Sequence, residues 1–201
     1  MASYGEGISR IECKLGKLLE SMNVILKISK KQLEEIKWKK NRDNVESFLF
    51  IYGDEIINAG EKSLGEIVKM DYYDLLKRSM KKKEICLGQV TKENLRVMDR
   101  VEIGTLKSAS YNLIEEDIFM IIKEEVRENP KFNYNYILTQ YVSIANLKDN
   151  SEEYIRCLLE YPYDLLKEWK RYVKKRRGDN VDKYLCNMKR IIEYELRKDY
   201  I

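Results

Sequence analysis

Histidine is absent from all 201 residues. That absence excludes Ser-His and Cys-His nucleophile pairs, histidine metal sites, and helical ribonucleases built on an Arg-x4-His pair. Proline is nearly absent too, with two residues, and glycine is sparse, with nine. Few positions therefore break a helix, and the abundance of Lys, Glu, Ile and Leu favours helix over sheet. Cys13, Cys86, Cys157 and Cys186 are widely spaced and form no C-x-x-C pair. They read as reduced, mostly buried thiols, with neither zinc nor a structural disulfide expected. No Walker loop, G-x-G-x-x-G or G-x-S-x-G occurs, so neither cofactor nor metal is expected.

Long apolar runs are missing as well. The longest uncharged run, residues 132–147, carries four Asn or Gln and is too short and too polar to span a bilayer. The first residues lack the apolar core of a signal peptide, and no N-x-S/T sequon appears. These features point to a soluble, cytoplasmic protein.

What is present is charge. Charged side chains make up 36% of the chain, against a usual share of about 25%. The 38 basic and 34 acidic residues nearly cancel, leaving a net charge of +4. Attraction to a polyanion must then come from local clusters. "KEWKRYVKKRR", residues 167–177, holds seven cations in eleven positions. As a helix it gathers Leu165, Leu166, Trp169, Tyr172 and Val173 on one side. Lys167, Lys170, Arg171, Lys174, Lys175 and Arg177 take the other, as a polyanion-contacting face or as a solvated face paired with the acidic stretch from Glu115 to Glu128. Lys37, Lys39 and Lys40, and Lys81, Lys82 and Lys83, form two further basic clusters.

Near the start, Ile8, Ile11, Leu15, Leu18, Met22, Leu26, Leu33 and Ile36 follow steps of three and four, interrupted by Ser29. An unbroken helix from Ile8 to Lys40 would be about 50 Å long. It is either a coiled coil for self-association or for a partner helix, or the longest helix of a bundle. Asp43 or Asn44 caps the next helix, and Gly53 or Gly60 can stop it. Short helices follow, including one opened by Thr91 over "TKENLRVMDRV". With the basic helix before it, that segment suggests a helix-turn-helix in which Lys92, Asn94 and Arg96 face a groove. Asp149 and Glu152 suggest a capping box. Gly178 stops the basic helix, and Asp179 caps the last.

The expected fold is all-α, with roughly seven to nine helices: an arm over residues 1–60, then a bundle over 61–201. The expected function is a non-enzymatic binding or regulatory protein that contacts nucleic acid or an acidic protein surface. The alternative is an interaction module, including a homo-oligomer, driven by the seam. A carboxylate-dependent magnesium enzyme is the remaining class, with Glu115 and Glu116 more simply complementing a helix dipole.

Overall fold

A computed structural model describes residues 11–176 and 179–196. Among these, eight helices carry the fold and five very short strands decorate it. The first strand, β1 (Glu12–Cys13), leads into α1 (Lys17–Trp38), α2 (Asn44–Lys69) and α3 (Tyr72–Lys82). Next come β2 (Ile85–Cys86), β3 (Leu95–Val97), β4 (Val101–Ile103) and β5 (Ser110–Tyr111). The chain closes with α4 (Glu115–Glu128), α5 (Asn135–Ile144), α6 (Asp149–Glu160), α7 (Tyr163–Val173) and α8 (Val181–Glu195). The fold is all-α, as composition implies.

The first helix is shorter than its apolar spacing implies. Gly16 sits at φ 78°, in the left-handed region, so α1 starts only at Lys17. Its 22 residues span about 33 Å. Ile11 lies before it and is exposed, and Ile8 is outside the described residues. Met22, Leu26, Leu33 and Ile36 are buried, with Leu15 and Leu18 packed against the same core. That core also takes residues from α2, α6, α7 and α8, so the seam is spent inside the chain. Tyr161 donates to the Met22 carbonyl at 2.8 Å, tying α1 to the start of α7.

Helix α2 opens on a complete capping box, Asp43 with Glu46. Gly53 and Gly60 do not end it. Both lie inside α2, facing α1, where a Cβ on Gly53 would stand 2.5 Å from Leu33 Cδ1 and one on Gly60 2.9 Å from Leu26 Cδ1. They let two helices close on each other, and residue 60 is not a boundary between elements.

"TKENLRVMDRV" is not a helix. It forms a turn and an antiparallel hairpin in which Leu95, Arg96 and Val97 pair with Ile103, Glu102 and Val101. Val97, Met98 and Val101 are all exposed, so a helix here would have no buried face to hold it. The helix-turn-helix expectation fails on this point. Two smaller corrections concern caps. The N-cap of α6 is Lys148, without a side-chain cap bond, and Glu152 pairs with Arg156 at 2.7 Å. Asn180, not Asp179, caps α8, accepting from the Asp182 amide. Among the described residues, no helix is long and apolar enough to cross a membrane.

Candidate active site

The three acidic residues that open α4 each do a different job. Glu115 is fully buried and receives Arg78 in a bidentate pair at 2.7 and 2.8 Å. Arg78 also grips Glu84 at 3.0 Å and donates to the Ser151 hydroxyl, so one guanidinium joins α3, α4 and α6. The carboxylate of Asp117 accepts the amides of Leu87 and Gly88 at 2.7 and 3.0 Å, holding the loop that follows β2. Gly88 has φ 68°, and a Cβ there would meet the Ser108 carbonyl oxygen at 2.7 Å, so only glycine suits the position.

Glu116 is the third. Its Oε2 accepts from the Asn112 side-chain amide at 2.6 Å, while its buried Oε1 has no partner among the described residues. Burial pushes its pKa up to about 7; the Asn112 bond opposes this, and Asp117 and Glu115 add to the rise. The folded protein therefore holds a proton that the unfolded chain releases near 4.5. Stability from this group is greatest at acid pH and falls as pH climbs toward 7, by about 2–3 kcal/mol. Glu116→Gln is expected to flatten that decline. Urea midpoints at acid and at mildly alkaline pH check it, and an unchanged slope in the variant would assign the decline to another group.

The loop itself is built around Asn94, only 3% exposed. Its Nδ2 donates to the Gln89 carbonyl at 2.7 Å and to the Thr105 carbonyl at 3.2 Å. Its Oδ1 accepts the Thr105 amide at 2.7 Å. The Gly104 amide bonds the Asn94 carbonyl at 2.8 Å. One buried side chain thus clasps the start of the loop to the far end of the hairpin. Gln89 stands exposed at the loop's tip. Periodicity places Asn94 on a groove-facing helix; only its spacing from Gln89, with a short hairpin after it, signals otherwise.

The basic clusters lie elsewhere. Lys167, Lys170, Arg171 and Lys174, with Arg176, line a cleft of about 700 Å³ completed by α1 and Tyr184, and no carboxylate lines it. Arg171 is nonetheless paired to Glu168 at 2.9 Å. Lys175 turns away, 3.5 Å over the Tyr172 ring and 3.9 Å from Asp43. Arg177 is outside the described residues. Lys37 pairs with Glu34 and Asp54, Lys39 with Glu46, and Lys40 is exposed. Lys81, Lys82 and Lys83 are exposed at the end of α3. Trp169 and Tyr172 are buried as helical geometry requires, whereas Val173 is exposed.

No protein-family model matches the sequence, and no curated protein matches it. Among solved structures, the chain is similar to the aminoglycoside phosphotransferase of Alicyclobacillus acidocaldarius. The TM-score is 0.75 at 12% identity, over 97% of this chain and 56% of that one. The likeness is one of fold. It overturns the expectation of a non-enzymatic coiled-coil or nucleic-acid-binding regulator, because these helices are arranged as in an enzyme. Apolar spacing and basic clusters describe helices equally well in either case, which is why they misdirect.

Proposed function

We propose that this chain is the acceptor-side lobe of a phosphotransferase-type enzyme, holding a hydroxyl-bearing small molecule at the loop of residues 87–106. The observation that carries the reading is the loop around Gln89 and Asn94, on a fold shared with a phosphotransferase. In kinase-type enzymes one loop carries an Asp that accepts the substrate hydroxyl proton and, five residues on, an Asn. Here Gln89 and Asn94 have that spacing. Asp117 and Gly88 keep the loop in shape from beneath.

An amide does not accept a proton at neutral pH, so Gln89 orients the acceptor hydroxyl instead of deprotonating it. Orientation is a substantial part of this chemistry, because the transition state of phosphoryl transfer is loose and catalysis rests on positioning and electrostatics. No G-x-G-x-x-G is present to cover the donor's phosphates. The chain spans 56% of the length of its structural neighbour.

The magnesium ion of such enzymes does not fit this loop. It is held by the loop Asn and by the Asp of a D-F-G motif. This sequence has no D-F-G, and Thr105 faces Asn94 where the clasp closes.

The test is calorimetric titration of the folded chain with a panel of aminoglycosides and simple polyols, alongside transfer from radiolabelled ATP. Saturable binding of at least one class is expected, weakened about 10-fold or more in Gln89→Ala, about 1.4 kcal/mol. Absence of both binding and transfer across the panel would overturn the proposal.

A further inference from the structure

We infer that the loop of residues 87–106 keeps its geometry without a divalent cation and takes none up. The inference rests on the proposed acceptor site, and it concerns the hydrogen-bond inventory of that site. An asparagine binds a metal through Oδ1, while its Nδ2 has only protons to offer. Both ends of Asn94 are engaged. The two Nδ2 protons point at the carbonyls of Gln89 and Thr105, which fixes Oδ1 on the opposite side. There Oδ1 accepts the Thr105 amide at 2.7 Å.

Gly104 lies close to the same oxygen, and a Cβ built on it would stand 3.2 Å from Oδ1. Turning Oδ1 toward an ion would break the bonds of Asn94, itself only 3% exposed, to the Thr105 amide and to both carbonyls.

Charge leads to the same conclusion. Magnesium is usually held by one or two carboxylates together with substrate phosphates. Gln89 and Thr105, the residues bonded to Asn94, are both neutral. Asp117, the acid that holds the start of the loop, has one oxygen on each of two backbone amides. Among the described residues, no group of three or more Cys, Asp or Glu is placed to hold a metal. The clasp therefore does by hydrogen bonding what an ion does elsewhere, joining the loop to the strand that returns beside it.

The probe is manganese alone, followed by its electron paramagnetic resonance signal and by water-proton relaxation. For the wild-type chain, no Asn94-dependent binding is expected up to roughly 1 mM, the weak end of biological divalent sites. Amide exchange in EDTA should show Thr105 protected, with protection lost in Asn94→Ala. Manganese bound more tightly than this, and released by Asn94→Ala, would overturn the inference. Manganese bound equally by wild type and Asn94→Ala lies elsewhere and leaves it standing.

Gln89→Asp with Thr105→Asp supplies the missing carboxylates and is expected to gain manganese binding at least 10-fold over wild type. Should the pair fail to fold, the wild-type titration and the Thr105 exchange still decide the matter. Acceptor titrations in EDTA separate the two readings. Binding that survives EDTA supports both, and binding that requires manganese overturns only the metal inference. A chain that binds no acceptor overturns the functional proposal, while the manganese result stands by itself.

Discussion

Trp169→Ala is expected to destabilise the protein by about 3–5 kcal/mol, the usual cost of deleting a large buried aromatic side chain. Trp169 has no exposed surface and sits in the main core with Leu165, Leu166 and Tyr172. The loss combines apolar area returned to water with a cavity that the helices around α7 fill only partly. Its Nε1 has no partner among the described residues, so the substitution breaks no hydrogen bond there and the effect is one of packing. In a chain of this size each kcal/mol is about 2–4 °C, so melting should fall by roughly 6–20 °C. Urea unfolding followed by circular dichroism checks it. A loss below about 1 kcal/mol, typical of surface changes, would show that the ring is not core.

The second large effect is electrostatic. Lys123→Ala is expected to cost about 3–5 kcal/mol, because it leaves the buried carboxylate of Glu195 without its cation. Lys123 lies in α4, 6% exposed, with Nζ 2.6 Å from Glu195 of α8 and 3.4 Å from Asp164 of α7. Arg127 holds the same Asp164 in a bidentate pair at 2.6 and 2.7 Å, and Tyr194 donates to it at 3.0 Å. Burial works against the charge on Asp164, yet Arg127 and Lys123 keep its pKa below the usual value.

Glu195 does more than pair. Its two oxygens accept the amides of Asp164 and Leu165, so α8 supplies the cap that α7 lacks at Pro162. Removing Lys123 should therefore loosen the start of α7 as well as the contact between α4 and α8. Lys123→Ala combined with Glu195→Gln is expected to cost less than the sum of the two changes, since Gln leaves no orphaned charge. Strict additivity in that cycle would mean that the two residues do not interact.

Much of the helical framework is legible in the sequence. The apolar spacing in α1, the cap at Asp43 that opens α2, and the stop of α4 before Pro130 are local features, and local physics decides them. Helical periodicity in "KEWKRYVKKRR" places Trp169 inside and Lys167 outside, as the structure does. It fails at Val173, the last residue of α7, which lies beyond the neighbours that could cover it.

The candidate site was hardly legible. "TKENLRVMDRV" reads as a helix because Val90, Leu95 and Met98 fall at plausible intervals. What stops the helix is Asn94, whose partners at Gln89 and Thr105 lie 5 and 11 residues away and come together only when the hairpin folds back. A window that scores spacing cannot register an amide that will find its acceptor across a turn.

By itself, then, the sequence determines the helical class, the absence of every histidine-based chemistry, and which faces of the longer helices are apolar, because these follow from residue type and a 3.6-residue period. Only the tertiary structure decides that α1 is spent on its own core, that Glu195 caps a helix thirty residues upstream, and that Asn94 clasps a loop shut. Each depends on polar or apolar groups far apart in the chain becoming buried together, where an unpaired donor or charge is costly enough to select one arrangement.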